Sequence, residues 1–184
     1  AFPEYFHFLK GNHENILNEE GNGNHPFRKF AMEGEMVYYF MRAEYGKDFV
    51  NLYANFEHML PLLFYGENLL ISHAEPRRPF EIDEVKEGRC NHEVVTGLTW
   101  TGNNEAVEDA AKKMLETWLP NSNDAFYFGG HRPVMGKYSL RSSGKFIQIH
   151  NPDAWPLAIV RPNRKFNPES DIIYTDKTQS YLAE

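Results

Sequence analysis

The chain has 184 residues, 41% of them hydrophobic and 15% aromatic, enough apolar material for one domain with a packed core, which excludes a disordered or fibrous protein. Its formal charge of −7 disfavours nucleic acid as the main partner, and its single cysteine, Cys90, excludes an internal disulfide and fits a reducing, cytoplasmic setting. No segment approaches the roughly 20 consecutive apolar residues of a membrane span, so no membrane partner is expected.

The first apolar run, Phe2 to Leu9, reads as a strand and leads into Gly11-Asn12-His13-Glu14. A polar stretch follows and ends in Gly21-Asn22-Gly23-Asn24, a loop signal. Pro26 suits the first position of a helix whose apolar face is Phe27, Phe30, Met36, Tyr39, Phe40 and Ala43, and Gly46 ends it. A second helix is expected from about Lys47 to Met59. Leu62 to Tyr65 and Leu69 to Ser72 flank Gly66-Glu67-Asn68 and read as a hairpin that ends at His73. Residues 74–101 carry no clear period beyond a helical turn or two at Ile82 to Glu87. Asn103 to Leu119 repeats apolar residues at three and four, with Pro120 as its stop. Ala125 to Phe128 reads as a strand before Gly129-Gly130-His131, Lys137–Arg141 and Lys145–His150 as a hairpin around Ser142-Ser143-Gly144, and Leu157 to Val160 as a last strand. The polar tail after Arg161 is expected to drape over the surface.

Three of these apolar runs end in a loop that carries a histidine: His13, His73 and His131. In layered α/β folds ligand groups gather beyond the carboxyl ends of strands. Imidazole nitrogens and the Asn12 amide oxygen are good donors to a divalent ion, and they need no thiolate. A structural zinc domain fits less well, because such sites recruit several cysteines.

These elements resemble the later half of the calcineurin-like metallophosphoesterase pattern, and in particular the branch of serine/threonine protein phosphatases and bacterial diadenosine tetraphosphatases. That branch shows GNHE after a strand, then a strand ending in HGG or HAG, then a strand ending in GHTP or GHEP. Here Gly11-Asn12-His13-Glu14, His73 after its strand, and Gly130-His131-Arg132-Pro133-Val134 follow in that order, 60 and 58 positions apart from histidine to histidine. Gly97-Leu98-Thr99-Trp100 is similar to the family's LxW segment.

The resemblance implies an α/β fold, the C-terminal portion of a four-layer α-β-β-α sandwich, with residues 1–184 forming a single domain. It implies that Asn12, His73 and His131 bind the second of two metals, drawn from manganese, iron, zinc, cobalt and nickel. It further implies that a metal-bound hydroxide attacks a phosphoester while His13 protonates the leaving oxygen. Glu14 is expected to orient His13 or cap the following helix. Lys10 stands where relatives carry an arginine before GNHE, and with Arg77, Arg78 and Arg132 it is a candidate phosphate contact; Glu75 is expected beside an anionic substrate. His150 is expected to make structural hydrogen bonds, His7 to be a core or sheet-face residue, and His25, His58 and His92 receive no role. Expected partners are a phosphoprotein, a dinucleoside polyphosphate or a small phosphoester.

The family's GDxHG and GDxxDRG motifs, which supply the first metal's ligands and the bridging aspartate, are not in this sequence. The chain is therefore expected to be the C-terminal part of a longer protein lacking the first strands of the domain. Two functions follow as expectations: a metal-dependent phosphatase, or a catalytically incomplete binding or regulatory protein on the same scaffold.

Overall fold

The computed structural model describes residues 6–175. A five-stranded mixed sheet forms its centre. The expected hairpin supplies β1 (Leu63–Tyr65) and β2 (Leu69–Ser72), antiparallel with Leu63 opposite Ser72 and closed by Gly66 N–H donating to the Leu69 carbonyl at 2.8 Å. Strand β3 (Phe126–Gly129) runs parallel to β2, with Ile71 opposite Phe128. Strand β5 (Phe146–Gln148) lies parallel to β3 on its other side, and β4 (Ser139–Arg141) completes the expected hairpin at the edge. The spatial order is β1-β2-β3-β5-β4.

The period of two along these strands separates two cores. Leu70, Tyr127 and Phe146 face one side of the sheet and pack with Phe80, Val94, Leu98, Met114 and Trp118. The helices on this side are α2 (Ile82–Lys86), α3 (His92–Thr99) and α4 (Ala110–Trp118), with a 3₁₀ turn at Gly88–Cys90. Helix α3 falls where the sequence showed no clear period. Its short apolar stripe of Val94, Val95 and Leu98 is buried, and the Asn91 side chain caps it by accepting the Glu93 N–H at 3.0 Å. Helix α4 begins at Ala110 rather than near Asn103, because Asp109 takes a left-handed conformation (φ 58°) immediately before it. Trp118 finishes the layer by donating its indole N–H to the Phe80 carbonyl at 2.9 Å.

The other side of the sheet presents Ile71, Phe128 and Ile147 to a small antiparallel sheet of β6 (Pro156–Ala158) and β7 (Ile172–Tyr174), preceded by α5 (Pro168–Asp171). Helices, large sheet and small sheet are thus three consecutive layers, α-β-β, of the expected α-β-β-α order. Residues 162–175 of the expected surface tail do not drape: Ile172 is fully buried, and Phe166 packs edge-on to Phe128 at 5.2 Å, while residues 176–184 lie outside the described residues. Asp171 anchors it by accepting the Asn167 N–H at 2.8 Å and pairing with Arg164 at 2.7 Å.

The long helix α1 (Glu33–Met59) is interrupted at Gly46, whose φ of 83° and ψ of 171° break the helical path where the sequence placed a boundary. It starts at Glu33, seven residues later than expected, after turns in which Phe30 and Ala31 donate to the Phe27 carbonyl. Its buried side is Val50 and Ala54 against Ile16, whereas the expected apolar face is turned outward, Met36 at 73% exposure and Phe40 at 59%. Phe6 to Leu9 carries no ladder, although Lys10 N–H reaches the Pro61 carbonyl at 2.9 Å; residues 2–5 of the expected first strand lie outside the described residues.

The anchoring of the tail has a measurable consequence. Phe166→Ala removes a ring from the second core and is expected to destabilise the chain by about 3 kcal/mol or more in urea unfolding, whereas a draped tail predicts a change within about 0.5 kcal/mol.

Candidate active site

Parallel pairing sets the site. Because β2 and β3 run the same way, their carboxyl ends lie side by side, and His73 follows β2 as His131 follows β3 and Gly130. Gly130 N–H donates to the His73 carbonyl at 2.8 Å and ties the two loops together. His131 takes a left-handed backbone (φ 60°) that turns the chain there. The third group arrives from Gly11-Asn12, where the packing is tight: a Cβ on Gly11 would displace the Glu14 carboxylate and approach His73 Nδ1 to 3.0 Å.

Three donor atoms meet at this point. His73 Nε2 lies 2.8 Å from Asn12 Oδ1 and 3.2 Å from His131 Nδ1. One proton on His73 Nε2 can serve only one of these neighbours, so the cluster holds more lone pairs than its protons satisfy. Burial, with His131, His13 and His150 close by, pushes the His73 imidazole down to about 3. Burial and the Arg132 guanidinium push His131 down to about 4. Both rings are therefore neutral at neutral pH, the state in which imidazole donates to a metal. An amide oxygen and two neutral imidazoles fit one divalent ion of the kind that accepts nitrogen and oxygen. Among the described residues there is no cluster of three His, Cys, Asp or Glu side chains able to hold a metal, so this set carries no carboxylate to bridge a second ion.

A cleft of about 1000 Å³ opens above these donors, lined among others by His13, Arg77, Trp100, Glu105, Arg132 and His150. His13 is exposed, its ring stacked on Phe27 at 4.7 Å with 14° between planes and 6.4 Å from Trp100. His150 Nδ1 lies 3.3 Å from the His131 carbonyl, the structural contact expected of it. Arg77 and Arg132 both reach the cleft, with Glu105 between them: its carboxylate accepts the Gly102 N–H at 2.9 Å and lies 3.4 Å from Arg77.

Other expected contacts are not made. Lys10 is buried beneath the loop, where Nζ donates to the carbonyls of Glu14 at 2.7 Å and Glu57 at 3.0 Å, so it does not line the cleft as a phosphate contact. Arg78 lies over the Phe80 ring and pairs with Glu84 at 2.8 Å and Glu93 at 2.7 Å. Glu75 is buried and paired with Arg141 at 2.5 Å, away from any substrate. Glu14 neither orients His13 nor caps a helix; its carboxylate accepts the Gly11 N–H at 2.7 Å and closes the loop on itself. His7 is exposed rather than part of a core and makes a tilted ring contact with Phe64, and His58 pairs with Glu19.

Sequence reasoning missed part of the lining. His25 and His92, with ring centroids 5.0 Å apart, both face the cleft, as do Phe30 and Glu105. Burial and the neighbouring His92 lower the His25 imidazole. The sequence pattern placed Phe30 and Glu105 in helices, but α1 and α4 begin only at Glu33 and Ala110, and the irregular chain before each carries these residues to the cleft.

No family model matches the chain, and no curated protein matches it either. Among solved structures, a protein serine/threonine phosphatase from Saccharomyces cerevisiae with similarity to human phosphatase PP5 superposes with a TM-score of 0.60 at 16% identity. The alignment covers 94% of this chain. The chain shares the α/β fold of that structure. It spans 60% of the yeast chain, a portion of that fold. At this identity the likeness speaks for architecture, and the site rests on the geometry above.

The depressed histidines fix how the metal-free chain responds to acid. A folded pKa below the unfolded value of about 6.5 contributes stability above that pH, and the contribution is lost as pH falls toward the folded values. Glu57 works in the opposite sense, because burial raises its carboxyl to about 7 and its contribution is lost as pH rises from about 4.5 through 7. In EDTA, the difference in urea stability between wild type and His73→Gln is expected to shrink as pH drops from 6.5 to 4, by up to about 1.4 kcal/mol per pH unit. A constant difference would contradict the assignment.

Proposed function

We propose that this chain carries one metal-binding half-site and the leaving-group acid of a metal-dependent phosphoester hydrolase of serine/threonine phosphatase type. The observation that carries the reading is the convergence of Asn12 Oδ1, His73 Nε2 and His131 Nδ1 within hydrogen-bond distance, two of them on imidazoles held neutral. The phosphatase fold of the yeast neighbour supports it, and the order of the three motifs agrees with it.

Asn12, His73 and His131 would hold the ion, Mn²⁺ being the first to test among manganese, iron, zinc, cobalt and nickel. Bound there, a divalent ion supplies positive charge that polarises phosphate oxygens and acidifies water. The chain's own groups do the rest. Arg77 and Arg132 present guanidinium forks on the cleft wall that suit the oxygens of a phosphoryl group. Glu105, beside Arg77, is displaced or screened when that anion enters. His13 stands exposed at the cleft with its ring fixed on Phe27, and in its protonated form it can give a proton to the leaving oxygen. Phosphorylated substrates as a class fit these groups, from a phosphoprotein to a dinucleoside polyphosphate or a small phosphoester.

Isothermal titration of the full chain with Mn²⁺ tests the reading. About one ion per chain is expected, with affinity lowered at least tenfold in His73→Ala. A wild-type chain with no Mn²⁺ affinity would favour a metal-free binding or regulatory role. Where wild type hydrolyses p-nitrophenyl phosphate, His13→Asn is expected to cut kcat by about 10²- to 10⁴-fold with little change in Mn²⁺ affinity.

A further inference from the structure

We infer that Lys10 and Glu57 are positioning residues, two buried pins that hold the loop between them as an arch and keep Asn12 Oδ1 and the His13 ring turned into the cleft. This deepens the half-site reading and rests on it for its purpose, but the pins are visible in the chain without a metal.

Both side chains are 4% exposed, an unusual place for an ammonium and a carboxylic acid. Lys10 stands at one foot of the arch. Its Nζ joins the Glu14 carbonyl, on the far side of His13, to the Glu57 carbonyl in the last turn of α1. Glu57 stands at the other foot, where its Oε2 accepts the Ile16 N–H at 2.7 Å. The segment between the feet has little regular bonding of its own: Asn15 N–H donates to the His13 carbonyl at 2.8 Å, and Gly11 N–H is taken by Glu14.

Burying these groups is costly unless each polar atom is used, and here the cost fixes geometry. The C-terminal carbonyls of α1 form the negative end of a helix, and they attract two cations, Lys10 on Glu57 and Arg89 on the carbonyls of His58, Met59 and Leu60. Arg89 holds the helix end to the 3₁₀ turn, while Lys10 holds it to the loop. The lysine therefore ties the orientation of His13 to the C-terminal turn of α1, a role a solvated phosphate ligand at this position would not have. Ile16, between the pins and the helix, packs on Val50 and Ala54 and closes the arch from below.

The test is a set of variants read by NMR on the metal-free full chain. Lys10→Met keeps the apolar stem and removes the donors; Glu57→Ala removes the acceptor, and Glu57→Gln keeps an oxygen for Ile16 N–H. The His13 ring protons, shifted upfield by the stacked Phe27 ring, report orientation. Lys10→Met and Glu57→Ala are expected to lose that shift and to speed Ile16 amide exchange by at least tenfold, while Glu57→Gln keeps both. Leu115→Ala, in the other core, lowers stability and is expected to leave both readouts in place. In wild type, Ile16 N–H is expected to exchange as slowly as Ala54 N–H in α1. That comparison stands even if a variant fails to fold, and loop-like exchange at Ile16 would overturn the proposal. So would an unchanged His13 shift in folded Lys10→Met and Glu57→Ala. Mn²⁺ titration of the same proteins separates the two readings: a wild type that fails to bind metal while the pins behave as described overturns the half-site and leaves the arch. If it binds, Lys10→Met is expected to weaken affinity about tenfold.

Discussion

The parallel pairing of β2 with β3 is the constraint on which the site depends. Ile71 opposite Phe128 fixes the register, and two residues past that rung the chains leave the sheet on the same side. Slipping one strand by a single residue would turn Leu70 and Tyr127 out of the main core, so the burial of those side chains holds the register, and through it the separation of His73 and His131. Parallel strands cannot be joined by a tight turn, and here α2, α3 and α4 make the crossing while covering the sheet. The packing that stabilises the chain and the packing that brings the imidazoles together are the same.

Around this fixed pair the cleft combines groups with different freedom. His73 and His131 are half-buried, neutral and anchored by strand ends, whereas His13 rides on a loop pinned by side chains. The separation suits the phosphoester chemistry proposed above. Metal donors gain from rigidity, since a cation rewards a preset donor geometry, while a proton donor must meet a leaving group whose position varies with substrate. Arg77, Glu105 and Arg132 form a third set at the wall, where the Glu105 carboxylate offsets part of the positive charge.

Much of this was legible in the residues. The hairpin ending at His73, the strand ending before His131, and the break at Gly46 are local signals, set by turn chemistry and short apolar runs. The meeting of Asn12, His73 and His131 was legible for the same reason, since each follows a strand or a glycine turn. What was not legible depended on tertiary context. Lys10 reads as a loop cation until α1 is seen to end beside it, and Glu75 as a cleft carboxylate until Arg141 arrives from β4. Helix α3 is too short for its period to stand out, and the outward apolar face of α1 shows that a helical pattern gives a stripe without saying which side is covered. Phe166 and Ile172 are lone apolar residues in a polar tail, and only the vacant side of the sheet explains their burial.

Anomalous diffraction from crystals of the full chain soaked in Zn²⁺ tests the central claim most directly. The account predicts a peak within roughly 2.0–2.2 Å of Asn12 Oδ1, His73 Nε2 and His131 Nδ1 together, with these side chains in the places they hold here. A peak that omits either imidazole, or strong zinc sites elsewhere with this cluster unchanged, would contradict it.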